Sequence, residues 1–302
     1  MKEGKDFFID EEDKIKYVLS CEADYEAALD TAVGTIAASE GERIITLSGP
    51  SCSGKTTTAR KIVNDFNALG KCVHVISIDD FYRDREELLS VAKKENSLPD
   101  FDSVKSIDIS ALGLAIDRIF SGERVAIPRF DFTAGKRIGE KVYDISENDV
   151  FLFEGIQAVY PEVTALFDGR KHFSVYVSVE DSLSVCGEVF EPDEIRFFRR
   201  LVRDYKFRNS SPEFTFAIWE SVRENEEKNI FPYKDLCDIK INSLLPYEIS
   251  MIKPYLTSIL QGIDEKSEYY GKAQEIIKKI RCLPLIKAEY MPRESVYHEF
   301  LG

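Results

Sequence analysis

Apolar and polar positions along this chain follow two rhythms. Short, nearly continuous apolar runs at 44–47, 72–78, 149–153, 173–177 and 238–241 predict buried parallel strands. Between them, apolar residues recurring at i, i+3, i+4 and i+7 predict helices at 57–69, 109–120, 196–207 and 214–228, and near 247–261 and 267–281. A further helix is expected to end near Leu166. Asp108 reads as a helix cap, and Gly70 and Gly122 as stops. Residues 125–127 and 129–143 predict strands about a turn at Gly135, whereas 83–107 is polar and irregular. Upstream, 1–23 is charged and weakly patterned. Tyr25, Ala28, Leu29, Ala32, Val33, Ile36 and Ala37 then form one apolar helix face. That face can pack on the core or on a neighbouring subunit, so a homo-oligomer stays open. Strands alternating with helices predict an α/β fold, a doubly wound and mainly parallel sheet with helices on both faces. The expected division is an N-terminal segment and helix at 1–40, a core domain at 41–262, and a C-terminal helical tail at 263–302.

Composition narrows the class of protein. The chain of 302 residues is 44% apolar, ordinary for a globular core, and has no apolar run long enough to span a membrane. Its net charge of −14 argues against a nucleic-acid partner. The six cysteines are scattered without zinc or disulfide spacing, which points to a reducing, cytoplasmic compartment, and the polar N-terminus does not read as a signal peptide. His74 falls inside a predicted strand and reads as a core residue. Neither His172 nor His298 has a companion at metal-ligand spacing.

The first candidate chemistry is Gly49-Pro-Ser-Cys-Ser-Gly-Lys-Thr56, between a predicted strand and a predicted helix. This is the phosphate-cradling loop G-x-x-x-x-G-K-[ST] in its proper context. Gly49 and Gly54 let successive N–H groups turn toward an anion, and the helix behind adds its positive end. Ser51, Cys52, Ser53 and Thr57 belong to the same ATP-binding loop, Lys55 reaches the outer phosphates, and the Thr56 hydroxyl suits Mg²⁺. Taken with the strand pattern, this predicts a P-loop NTPase. In an open parallel sheet ligands sit beyond the carboxyl ends of the strands. Asp79-Asp80 and Glu154 stand at two such ends, so a Mg·ATP site with a candidate base is expected there. Arg196, Arg199, Arg200 and Arg203 share one helix face, extended by Lys206 and Arg208. Four arginines without interleaved acids predict a phosphate-clamping helical lid at about 187–212, against the alternative of a solvated face.

Several short motifs, in order, then resemble the uridine kinase branch of the phosphoribulokinase/uridine kinase family over about 44–242. They are the P-loop, Ser77-Ile-Asp-Asp-Phe-Tyr82, Phe101-Asp102, Ile127-Pro-Arg-Phe-Asp-Phe132, Leu152-Phe-Glu-Gly-Ile156 and Arg199-Arg-Leu-Val-Arg-Asp204, followed by the Pro232 to Asp238 segment. Phe130-Asp-Phe-Thr-Ala-Gly-Lys-Arg137 and the ending Ser295 to Gly302 are similar to a bacterial subgroup of nucleoside kinases. The resemblance implies that Asp79 is the general base, and that Thr56, Glu154 and Asp79 serve Mg²⁺. It implies that Lys55 and Arg203 assist transfer, that Arg200 and Arg208 contact ATP phosphates, and that Asp102 holds ribose hydroxyls. Tyr82, Phe101, Phe130, Phe132 and Arg137 would line the acceptor pocket. In pyrimidine nucleoside kinases a histidine stands where this chain has Gly135, a tyrosine where it has Phe130, and an arginine where it has Ser210.

The expectation is an ATP- and Mg²⁺-dependent kinase acting on a small-molecule hydroxyl, most simply the 5′-hydroxyl of a nucleoside. A relative phosphorylating a sugar phosphate or an organic acid is one alternative, and a catalytically silent ATP-binding regulator is another. A GTPase is disfavoured, since no N-K-x-D string occurs.

Overall fold

A computed structural model of the chain describes residues 1–39, 44–94 and 103–302. The chain opens with a short strand β1 (Lys2–Glu3) and a long helix α1 (Glu11–Ala38). β2 (Ile44–Ser48) leads through the P-loop into α2 (Lys55–Ala68), and β3 (Cys72–Ser77) ends in a 3₁₀ turn, Ile78–Phe81. α3 (Arg85–Lys94) and α4 (Ile109–Ser121) precede the hairpin β4 (Val125–Asp131) and β5 (Lys136–Tyr143). Then come β6 (Asp149–Glu154), the short α5 (Pro161–Thr164), β7 (Phe173–Ser178), β8 (Leu183–Val185) and β9 (Glu188–Phe190). The last part holds α6 (Pro192–Phe207), α7 (Pro212–Asn229), β10 (Ile239–Asn242), α8 (Glu248–Gln261), α9 (Tyr270–Ile280) and α10 (His298–Leu301).

Among the described residues the central sheet runs β10-β7-β2-β6-β3, every pair parallel. Both of its faces are covered by apolar clusters, which is why β2 and β6 read as continuous apolar runs rather than alternating ones. The parallel register aligns Leu47 with Glu154 and Ser77 with Glu154, so the P-loop, the Asp79 turn and Glu154 leave the sheet at the same edge. The capping signals hold. Asp108 accepts a hydrogen bond from the Ala111 N–H at 3.0 Å, and Gly122 closes α4 with a φ of +69°.

Three parts differ from the sequence expectation. α1 begins at Glu11, well inside the weakly patterned segment. Asp10 caps it by accepting from the Asp13 N–H, and Glu11, Glu12 and Asp13 oppose the helix dipole in its first turn. Its buried stripe, Val18, Cys21, Tyr25, Leu29, Ala32, Val33 and Ile36, packs on α2 and β10. Within the segment read as irregular, α3 forms with acids in its first turn and lysines in its last, while Leu89 and Val91 remain exposed. A helix held by its ends, without an apolar stripe, leaves no periodic signal. β8 and β9 form a hairpin with β1 at its edge, and these strands are too short for an alternating pattern. Residues of α1, the sheet, α6, α8, α9 and the C-terminal turn share one hydrophobic cluster.

Candidate active site

The P-loop is shaped by backbone constraints. A Cβ on Gly49 would lie 2.1 Å from the Val177 carbonyl oxygen, and Gly54 sits at a φ of +96°. Cys52 takes a left-handed φ of 60° although it has a side chain, a strained conformation of the kind that gathers at ligand clamps. Two buried arginines of α6 tie the loop down. Arg196 is paired with Glu226 at 2.6 and 2.7 Å and donates to the Ser51 carbonyl at 3.3 Å. Arg199 is paired with Glu248 at 2.7 and 2.9 Å and donates to the Cys52 carbonyl at 3.2 Å. Holding these carbonyls against α6 leaves the interior of the loop to N–H groups, the arrangement that receives an anion. The Ser53 hydroxyl is buried without a hydrogen-bond partner.

The loop opens on a cavity of about 760 Å³. Ser51, Cys52, Lys55, Thr56, Asp79, Tyr82, Phe132, Glu154, Arg200, Arg203 and Arg208, all expected from sequence, line it. The Lys55 ammonium folds back onto the Gly49 and Pro50 carbonyls at 2.8 and 3.1 Å, and burial lowers its pKa. Ser77 donates to the Glu154 carboxylate at 3.1 Å. Burial first, and then the negative charge of Glu154, push the Asp79 pKa up to about 6. Asp80 points elsewhere and accepts from the Phe130 N–H at 3.0 Å, which ties the β4–β5 hairpin to the turn. Asp204 gathers three arginines. Arg203 donates to it at 2.6 and 2.9 Å, Arg200 at 3.2 Å, and Arg208 lies 3.5 Å away. Burial and the neighbouring Arg203 charge lower the Arg208 pKa, the signature of cations crowded with too few anions.

This geometry revises the picture of the basic helix. Arg196 and Arg199 are buried and fully paired, so they hold the loop and do not face the cavity. Their partners, Glu226 and Glu248, come from α7 and α8, far along the chain. Other expected residues are also displaced. Arg137 turns from the cavity, donating to the Phe81 and Tyr82 carbonyls and to Asp108 at 3.1–3.2 Å, and thereby anchors the hairpin. Phe130 packs with Tyr82 and Phe132 at ring separations of 5.2–5.6 Å, so only the outer part of this aromatic wall reaches the cavity. At Gly135, an added Cβ would meet the Arg85 side chain at 3.0 Å, and Arg85 is held there by the Phe132 carbonyl at 2.8 Å. Phe101 and Asp102 lie outside the described residues.

Sequence reading missed Gln157, Asn225, Glu226 and Glu299. Asn225, Glu226 and Glu299 line the cavity, and Gln157 donates to the Tyr82 hydroxyl at 2.8 Å from beneath it. None belongs to a motif with its own chemical signature. Spacing also hid a meeting at the opposite end of the sheet, where Cys72, His74 and Asp149 bring their ligand atoms within 4.8 Å of one another. There the His74 Nε2 and the Asp149 carboxylate are 3.0 Å apart, an ordinary polar pair, and the His74 ring packs against Tyr143 and Phe151.

A sequence model described as the phosphoribulokinase/uridine kinase family matches residues 44–250. The chain belongs to this family. Uridine kinase from Deinococcus deserti is 28% identical over 199 residues, covering 66% of this chain and 86% of that protein. Uridine kinase from Shewanella baltica is 30% identical over 200 residues, 65% and 85% of the two chains. Among solved structures, the protein YGR205w aligns with a TM-score of 0.50 at 16% identity over 73% of this chain and 88% of that one, a likeness of fold alone. The chain is thus an ATP-dependent phosphotransferase acting on a small molecule, built on the P-loop kinase fold of its family. Among the described residues no helix is long and apolar enough to cross a membrane.

Proposed function

We propose that the chain transfers the γ-phosphoryl group of ATP to the 5′-hydroxyl of a ribonucleoside, with Asp79 as general base. The observation that carries this reading is the Asp79 carboxylate, which lines the same cavity as Lys55, Tyr82 and Phe132 and has its pKa pushed up to about 6. A base must be ionised at working pH yet basic enough to receive the hydroxyl proton, and a value just below neutrality meets both needs. Lys55, Arg200, Arg203 and Arg208 supply fixed positive charge where the transferring phosphoryl group gains negative charge. The ribose preference rests on the resemblance at Asp102, and the planar acceptor on Tyr82, Phe130 and Phe132.

Mg²⁺ fits the residues present. Hard cations take oxygen ligands, and the Thr56 hydroxyl with the Glu154 and Asp79 carboxylates offers them on one cavity. When bound there it would neutralise charge on the β- and γ-phosphates. Gly135 and Phe130 provide no polar side chain to read a base edge, so discrimination between bases should be weak. An acceptor screen by coupled ADP release tests the reading. Ribonucleosides of both base classes should be phosphorylated, and 2′-deoxynucleosides poorly. Activity on sugar phosphates or organic acids, with none on nucleosides, would overturn it.

A further inference from the structure

The C-terminal turn lies outside the family-matched region and yet closes against the P-loop. Ser295, Val296, Tyr297 and Phe300 are buried. A Cβ on Gly54 would meet the Val296 side chain at 2.9 Å. The Tyr297 hydroxyl donates to Glu248, the partner of Arg199, and the Arg199 guanidinium lies 5.3 and 5.2 Å from the Tyr297 and Phe300 ring centres. Lys206 of α6 donates to the Leu301 carbonyl. Packing on three sides therefore fixes where the one acidic residue of α10 points.

That residue is Glu299, and its carboxylate enters the phosphate cavity. One of its oxygens, Oε2, is fully buried without a hydrogen-bond partner. Burial raises its pKa, opposed by the positive charges of Lys55, Arg199 and Arg203 and by the Thr57 N–H. An orphaned carboxylate oxygen is costly to bury, and an apolar side chain would avoid that cost. Its surroundings are those of an anion site: the P-loop lysine Lys55, the Thr57 N–H in the first turn of α2 and Arg203 of α6. Phosphates arriving there would bring further negative charge against Glu299.

We propose that Glu299 holds an anion position of the P-loop in the ligand-free chain, and that the phosphates of the nucleotide displace it. The C-terminal turn is then a strap across the donor site, and the charge of Glu299 sets donor affinity.

The test compares wild-type protein with Glu299→Gln and Glu299→Asp, using ATP and inorganic tripolyphosphate as probes in calorimetry. Glu299→Gln keeps size and loses charge, and should bind both probes about tenfold more tightly. Glu299→Asp keeps the charge and should show no such gain, which separates charge from packing. In steady state Glu299→Gln should lower KM for ATP without a matching rise in kcat. Hydrogen exchange at 295–301 should quicken when ATP binds the wild type. Equal or weaker binding by Glu299→Gln, or greater protection of 295–301 with ATP, would overturn the proposal and make Glu299 a positioning residue or a bystander. Failure of wild type and variant alike to bind ATP would overturn the donor-site assignment as well.

Discussion

Asp79 and Asp80 are adjacent in the chain, but one carboxylate faces the cavity and the other fastens β4. Asp79→Asn should therefore lower kcat by about 10²–10⁴, the usual effect of losing a general base. Asp80→Asn keeps an oxygen able to accept from Phe130 and should stay within a few-fold of wild type. Turnover of both variants under saturating ATP checks the assignment, and the reverse ranking would overturn it. Asp79 also has a signature in stability. Its folded pKa of about 6 lies above the ordinary aspartate value of 3.8, so folding favours its protonated form. That contribution is fully present below the unfolded pKa and is lost as pH rises through about 6. In metal-free protein, Asp79→Asn should be more stable than wild type at pH 8, by about 1–3 kcal/mol, and nearly equal to it at pH 4. Urea unfolding at the two pH values measures the difference.

α6 shows why a charged helix can be part of a core. Ile195, Phe198, Leu201 and Val202 are fully buried, as are Arg196 and Arg199 with their glutamates. Removing one partner of such a pair strands the other charge, so Arg199→Met should cost about 3–5 kcal/mol in denaturant unfolding. Adding Glu248→Met should recover part of that loss, because both charges are then gone. The same burial bears on the expected lid at 187–212. For α6 to swing out as a unit it would have to expose these side chains together. Amide exchange across 195–204 should thus be slow both without ligand and with ATP plus acceptor. The change on ligand binding should fall at Arg208, whose side chain is 57% exposed. Fast ligand-free exchange through 195–204 would restore the mobile lid.

At the scale of the molecule, the segments flanking the matched region share the core of the kinase fold. Ala273, Ile280, Leu283, Ile286, Val296 and Phe300 join the same cluster as α1, the sheet and α8. Truncation after Gly262 would uncover the α8 face that α9 covers and remove Tyr297 from Glu248. The shortened chain should lose cooperative thermal unfolding, or unfold well below the full chain, as differential scanning calorimetry would report. A truncated chain with an unchanged melting temperature would instead identify 263–302 as an independent appendage.

The strand runs, the helix caps at Asp108 and Gly122, and the P-loop with its flanks were legible in the sequence, because each is a local pattern with a local cause. Periodicity reports burial, a capping oxygen acts on an N–H three residues away, and a glycine-rich turn needs no distant partner. The catalytic edge was legible too, since parallel strands place their carboxyl ends together. What local pattern could not disclose was where the charges went. Arg196, Arg199, Arg200 and Arg203 share one helix face by spacing. Whether an arginine there meets phosphate or carboxylate depends on Glu226 and Glu248, which arrive from α7 and α8. Arg137 is turned aside by Asp108 and two backbone carbonyls, and Glu299 is brought to the P-loop by a turn nearly 250 residues downstream. Long-range electrostatics and packing have no period along the chain, so only the tertiary structure decided them.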